Sequence, residues 1–427
     1  MTAEIAVFNK SAVALAADSA VTISGGGKHK IYNGAEKLFA LTKHHPVGVM
    51  VYGSGDLCSA PWELVIKAYR KQLGSTHFPN LEDYADDFFK FLESSFPIVT
   101  AGMREGHLYQ FLSEDVFNLL FDSFAATKPD NYWNPLDNNV FFEELEEYCL
   151  ELLEHLSNTE FLDGFSGDDM DGAREFCKEV TVRIVAEKFT SIPTEEIPRS
   201  LLHAICDVFA AMICKKSDIG NITGIVIAGY GEEDFYPKVL SYDVCGFFND
   251  KIRKSTNKGK CSSGGECGVT PFAQEEEVGA FMQGVSSNLI TAFHKEYEDS
   301  IGNLLDGIDD VVQRMIPNDK LVEAQDAILG VVQNTVAECN ARIGNFVHQN
   351  YVKKVVDMIK FLPKQDLAYM AESLVNLTAF KRKVSDDSET VGGPIDVAII
   401  SKADGFIWVK RKHYFDKDMN HHFFIRS

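Results

Sequence analysis

A hydroxyl, a carboxylate, an ammonium and a glycine-rich turn near the start of the chain form a set that could cleave an amide. Thr2 follows Met1, Asp18 closes one apolar run, Lys37 opens another, and Gly53-Ser54-Gly55 ends a third. A threonine at a free chain terminus carries two catalytic groups. Its Oγ attacks a carbonyl, and its own α-amine, with an ordinary pKa of about 7.7–8.0, accepts the hydroxyl proton directly or through a water. A neighbouring cation lowers that pKa by like-charge repulsion and keeps the amine neutral and basic. Lys37 supplies such a charge, and Asp18 is the carboxylate to hold it. A glycine N–H, unobstructed by a Cβ, suits a developing oxyanion, where losing one donor typically costs ~2.7–4 kcal/mol. Gly53 is the candidate. Taken singly, each residue has a plain reading as a second residue, a turn aspartate, a solvated lysine and a loop. Their order along the chain makes them a set.

The elements that must position these groups are short strands. Residues 2–8 and 11–17 read as an antiparallel pair turning at Asn9-Lys10, the second nearly all apolar and so buried on both faces. Residues 37–41 and 47–52 read as two more strands around His44-His45-Pro46. Between them, 19–35 reads as a loop or broken strand, with turn chemistry at Gly25-Gly26-Gly27 and Asn33-Gly34. Helical periodicity begins at Trp62 and repeats over 80–92, where Asn80 is a cap and Glu82-Asp83 fill the first turn. An acidic helical block runs over about 105–215. Strand texture returns at 219–231 and 237–242, whereas 251–268, basic and then Ser/Gly/Cys-rich, reads as a mobile loop. Residues 275–314 and 321–364 are helical, and a helix over 366–380 carries Leu367, Met370, Leu374 and Leu377 on one face. Runs at 395–400 and 406–410 flank an Asp404-Gly405 turn, a hairpin signal. Strands therefore cluster at 2–55, 219–246 and 391–410, and must pair across long separations with helices covering the sheets.

In this order, Thr2, Ala16-Ala17-Asp18-Ser19, Lys37 and Gly53-Ser54-Gly55 resemble the proteasome β-subunit family of N-terminal-nucleophile (Ntn) hydrolases, including the peptidase subunit of the related bacterial ATP-dependent protease. Residues 225–240, and 377–380 with 392–397, extend the resemblance to about half the chain. It implies an α+β fold, a four-layer αββα sandwich with large helical insertions. The core would comprise 1–100, 218–250 and 366–427; 101–217 would be a helical insertion, and 251–365 a loop with inserted or replaced helices. It implies a threonine-type peptidase or amide hydrolase with Thr2, Asp18 and Lys37 catalytic and Gly53 in the oxyanion hole. Asp387 or Ser388 would hold the terminal threonine, with Ser262 or Ser263 as a further support. Val21, Ala35, Phe39, Val51 and Gly55 would line an apolar S1-like pocket, hence cleavage after apolar residues. The implied substrate is a peptide or unfolded protein. Homo-oligomeric assembly follows from the family, with an ATPase or other regulator as a partner. The segment between Asp18 and Lys37 is longer than in the proteasome. Two rival readings keep the fold: a catalytically silent scaffolding or partner-binding subunit, and a small-molecule amidase.

Composition narrows the remaining classes. A net charge of −22 over 427 residues argues against nucleic-acid and anionic-membrane surfaces, which need basic patches. Nine cysteines, odd in number and without a CxxC, read as reduced, buried or idle thiols in a cytoplasmic protein. No HExxH, zinc-ligand spacing or P-loop is present, so neither metal nor cofactor nor intrinsic ATP hydrolysis is expected. No apolar run reaches membrane-spanning length and no signal-peptide pattern begins the chain, so removal of Met1 alone would expose Thr2.

Overall fold

The computed structural model describes residues 3–25, 28–94, 97–133, 137–317, 320–384, 391–416, 418–420 and 422, with side chains except at 22–25, 28, 29 and 130. In chain order the strands are β1 (Glu4–Asn9), β2 (Ala12–Ala17), β3 (Ala20–Gly25), β4 (Lys28–Asn33), β5 (Leu38–Ala40), β6 (Val47–Gly53), β7 (Asp56–Leu57), β8 (Ala60–Pro61), β9 (Thr223–Gly229), β10 (Lys238–Phe248), β11 (Lys251–Thr256), β12 (Gly268–Ala273), β13 (Asp396–Ser401) and β14 (Gly405–Lys410). The helices are α1 (Trp62–Leu73), α2 (Leu81–Glu93), α3 (Ala101–Gln110), α4 (Phe117–Ala126), α5 (Asn138–Ser157), α6 (Gly167–Lys188), α7 (Arg199–Cys214), α8 (Glu275–Gln283), α9 (Ser287–Met315), α10 (Leu321–Val347), α11 (Lys353–Ile359) and α12 (Lys364–Val384). The fold is mixed α+β with antiparallel sheets. Among the described residues no helix is long and apolar enough to cross a membrane.

The chain divides into two compact units, Met1–Gly34 with Gly265–Ile399 and Trp408–Ser427, and Ala35–Gly264 with Ile400–Ile407. The first unit is built on a sheet ordered β12-β1-β2-β13-β14. Every residue of β1 and β2 is buried. Alanines alternating along β2 let α12 lie close, and Leu367, Ala371, Leu374 and Val375 of α12 pack on Ile5, Val7, Ala14 and Val397. The β1–β2 turn is tied to the helical layer by Asn9, whose Nδ2 donates to the carbonyls of Ile359 (2.9 Å) and Leu362 (3.0 Å) at the end of α11. Those carbonyls lie at a helix C-terminus, where a buried acceptor needs a donor.

The second unit holds a sheet ordered β11-β10-β9-β6-β5. Its apolar face packs on α1 and α2 through Trp62, Ile66, Tyr69, Phe88 and Leu92. The Asn80–Asp83 capping box starts α2, and Asp234, from the turn after β9, accepts the N–H of Leu81 at 2.9 Å and of Gly231 at 2.8 Å. Burial works to raise the Asp234 pKa, but Lys238 at 2.7 Å and the two N–H donors outweigh it and hold the carboxyl below its usual range. Helices α3 to α7 form a separate core around Phe124, Leu145, Cys177, Ile205 and Phe209. At about 1.5–3 kcal/mol per large apolar side chain buried, this packing outweighs the mutual repulsion of an acidic surface.

Three expectations are corrected. Within 19–35, read as a loop or broken strand, β3 pairs antiparallel with β4 along its length, with Ala20 opposite Asn33 and Gly25 opposite Lys28. The segment 251–268 and the residues just after it supply ordered edges to both five-stranded sheets: β11 pairs with β10, β12 pairs with β1, and Ser262 bridges to Val239. Its basic texture misled because Arg253, 1% exposed, is a core residue. Its guanidinium donates to the carbonyls of Met212 (2.9 Å), Ile213 (2.9 Å) and Cys245 (3.1 Å) and so closes the C-terminal end of α7. In α12, Leu377 is exposed, and the buried stripe runs through Leu367, Ala371, Leu374 and Thr378. Small residues there admit close packing that a search for large apolar ones overlooks.

One half-buried histidine, with a buried Nδ1, is expected to give the second unit a pH dependence. Among the described residues the Nδ1 of His107 has no hydrogen-bond partner, and Gly246, with a φ of +91°, leaves room where a Cβ would stand 2.8 Å from that atom. Burial first and the Arg253 charge second lower the His107 pKa, with Asp56 opposing them. The unfolded chain therefore binds a proton that the folded chain refuses, and stability declines as pH falls through the ordinary histidine value of about 6.5. Urea unfolding followed from pH 7.5 down to about 5.5 should show this decline, and His107→Asn should flatten it; an unchanged slope in the variant would assign the decline to other groups.

Candidate active site

Asp18 follows β2, is 1% exposed, and is surrounded by backbone. Its Oδ1 accepts the N–H of Ala3 at 3.1 Å; its Oδ2 accepts those of Gly392 at 2.9 Å and Ala20 at 3.3 Å. The Asp18 N–H in turn donates to the Ala3 carbonyl at 3.1 Å, and the Ser19 N–H to the Gly392 carbonyl at 3.2 Å. The Ser19 hydroxyl donates to the Pro394 carbonyl. One carboxylate thus gathers the start of β1, the entry to β3 and the segment leading into β13. A buried carboxylate is tolerable only with such donors, and each charge-assisted bond contributes about 1.5–3 kcal/mol. Gly393 in that segment has φ +78°, and a Cβ there would stand 2.9 Å from that of Asn33.

Lys37 immediately precedes β5 and is 5% exposed. Its carbonyl accepts the N–H of Val51 at 2.9 Å, which extends the β5–β6 pairing. Gly53 ends β6 opposite Thr223, with φ +79°; a Cβ there would lie 2.3 Å from the Ile222 carbonyl oxygen. That oxygen accepts the Ser54 N–H at 3.0 Å. The Thr223 hydroxyl donates to the Ser54 carbonyl at 3.2 Å and accepts the buried Trp62 indole N–H at 3.0 Å. The Trp62 N–H donates to the Gly55 carbonyl at 3.2 Å. The turn that follows is tight, with φ of +50° at Cys58 and +71° at Ser59, a conformation that costs of order 1–3 kcal/mol per residue and persists only where the surroundings impose it. Burial chiefly pushes the Cys58 thiol up to about 12, so it is a packing group and not a nucleophile.

The expected site residues are distributed as follows. Asp18 and Val21 belong to the first unit; Ala35, Lys37, Phe39, Val51, Gly53 and Gly55 belong to the second. Thr2, Asp387 and Ser388 lie outside the described residues. Phe39 and Val51 are buried together in the second unit's sheet core, Val21 and Ala35 are half-buried, and Gly55 is exposed with open space around its Cα. Ser262 is held on the edge of β10 by paired backbone bonds with Val239, at 2.8 and 3.3 Å. Sequence reading missed the groups that hold the set in place: the backbone of Ala3 and Gly392 around Asp18, and the Trp62–Thr223–Ser54 chain behind Gly53. For the second of these the sequence carried a faint signal, a tryptophan in the first turn of the helix that follows the glycine-rich turn.

The chain matches no protein-family model and no curated protein sequence.

Two substitutions test this architecture. Asp18→Ala leaves the buried N–H groups of Ala3, Ala20 and Gly392 without their acceptor, and chemical denaturation should show a loss of at least about 3 kcal/mol. A loss below about 1 kcal/mol would show that the carboxylate does not hold these segments. Gly53→Ala must take a left-handed conformation against the Ile222 carbonyl, and a loss of about 1–3 kcal/mol is expected from the backbone alone.

Proposed function

We propose that the chain is a threonine-type N-terminal-nucleophile hydrolase that cleaves amide bonds, in peptides or unfolded proteins, through an acyl-enzyme on Thr2 after Met1 is removed. The observation that carries this reading is the grip of the buried Asp18 carboxylate on the Ala3 N–H, one residue beyond Thr2. An enzyme whose nucleophile is its own chain end must hold that end against the entropy of a free terminus, and a buried anion bonded to the next peptide group does so. Further support comes from the buried Lys37 and from the positive-φ, multiply braced turn at Gly53.

In this mechanism the Thr2 α-amine removes the proton from its own Oγ as that oxygen attacks the carbonyl carbon. The Lys37 charge keeps the amine deprotonated, and the Gly53 N–H donates to the tetrahedral oxyanion. Collapse expels the leaving amine, which takes the proton back, and leaves an ester on Thr2. A water activated by the same amine then releases the acid. The resemblance implies an apolar specificity pocket, although Phe39 and Val51, two of the residues implied for it, are buried in the second unit's sheet core. The same reading carries the four-layer αββα sandwich, a homo-oligomeric assembly, an ATPase or other regulator as partner, and a cytoplasmic setting, with which nine free thiols agree.

The test is treatment of the full chain with a peptide epoxyketone, a reagent that closes a ring using both Oγ and the α-amine of a terminal threonine, followed by mass spectrometry. A ring adduct on Thr2 with Met1 absent is expected, and Thr2→Ala should lower fluorogenic peptide cleavage by about a thousandfold or more while the protein stays folded. Retained Met1, or full activity in the variant, would overturn the reading in favour of a silent subunit or another mechanism. Hydrolysis of small acyl amides but of no peptide would select the amidase.

A further inference from the structure

Helices α9 and α10 are far longer than anything their packing requires. Over its 29 residues α9 buries only Val312, and α10 buries none of its 27. They pack on each other and, through α9, on α8. At about 100° per residue, the side chains of α9 sort into three neighbouring arcs. The half-buried or buried arc, Ile290, His294, Ile301, Leu305, Ile308 and Val312, serves these contacts. Beside it lies a second apolar arc, Leu289, Phe293, Leu304, Val311 and Met315, between 49% and 79% exposed. Beyond that arc runs a row of carboxylates, Glu296, Asp299, Asp306 and Asp310, with Arg314 among them, pairing with Asp310 at 3.9 Å, and Lys295 at the row's far edge. Together α9 and α10 carry nine acidic and three basic side chains, a net of −6.

Single exposed apolar side chains are ordinary, but an aligned row over seven helical turns is not. From Leu289 to Met315 the row is about 39 Å long, enough for a partner helix of roughly 20 residues. We propose that this face of α9 docks an amphipathic helix of another protein whose apolar stripe is edged by lysine or arginine. The bordering carboxylates decide the kind of partner. A basic edge pairs with them, whereas a second copy of this chain would set one carboxylate row against another, and like charges across an interface are disfavoured. An anionic membrane surface is repelled for the same reason.

The probe is a fluorescent synthetic helix of about 20 residues with leucines at i, i+3, i+4 and i+7 and flanking lysines, compared with a sibling carrying glutamate at every lysine position. Anisotropy titrations against the full-length protein should show the lysine peptide binding at least about tenfold tighter, with affinity falling at ~0.5 M salt. Phe293→Ser with Leu304→Ser should weaken it at least about tenfold. Reversal of the row by Glu296→Lys, Asp299→Lys, Asp306→Lys and Asp310→Lys should transfer the preference to the glutamate peptide. All these positions are solvent-exposed, and circular dichroism checks that the helices persist. Failure to bind, equal binding of both peptides, or concentration-dependent self-association abolished by Phe293→Ser with Leu304→Ser would each overturn the proposal, the last in favour of a second copy.

Discussion

A carboxylate taken out of water must be given donors, and Asp18 receives three from the backbone of segments far apart in the chain. The first unit depends on this constraint. β1 begins where the Ala3 N–H meets Oδ1, and the segment returning some 370 residues later is fixed by Gly392 on Oδ2, a separation of 374 positions. Strand pairing alone leaves register weakly defined along the alanine-rich β2, where side chains are small and alike. A charged acceptor with fixed geometry removes that freedom, because sliding β1 by one residue would present an alternate set of groups and leave the anion unsatisfied.

The second unit solves a related problem with a cation and with glycine. Among the described residues Arg253 has no acidic partner, and three hydrogen bonds from its guanidinium go to carbonyls, two of them at the C-terminal end of α7, where the helix dipole favours positive charge. Burial lowers its pKa, and an arginine tolerates this and stays charged where a lysine would not. Around Gly53 the conformation is forced from outside. A helix-borne indole holds a threonine hydroxyl, the hydroxyl holds the Ser54 carbonyl, and the Ile222 carbonyl fills the space a side chain would need. A backbone amide so placed has little freedom to reorient.

The first unit also carries elements that its own core does not use. The layer of α12 over β1 and β2 is dense and made of small residues, whereas α9 and α10 extend with apolar side chains left in water. Helices of that length derive their stability from tertiary packing of one face, and here that face is only partly covered. The packing of the unit's own core therefore does not account for the exposed arc and its acidic border.

Much of this was legible from residue types alone. Antiparallel β1 and β2 follow from their apolar runs and the Asn9-Lys10 turn, α2 from the Asn80 cap, and the last two strands from Asp404-Gly405, because these signals act over a few residues and local sterics decide them. The order of Thr2, Asp18, Lys37 and Gly53 marked a candidate site from local signals, and of these Asp18, Lys37 and Gly53 each lie at the end of a strand. What the sequence could not state were partners chosen by distance in space. The two sheet edges drawn from 251–273, the burial of Arg253 and the Asp18–Gly392 bond all depend on which surface a segment meets, not on its own pattern. Composition made 251–260 look solvated, and only the carbonyls at the end of α7 make a buried guanidinium the lower-energy state. By itself the sequence determined the local elements and the chemical groups at their ends; the tertiary structure decided which buried donors and acceptors satisfy one another, because that pairing is a property of the assembled core.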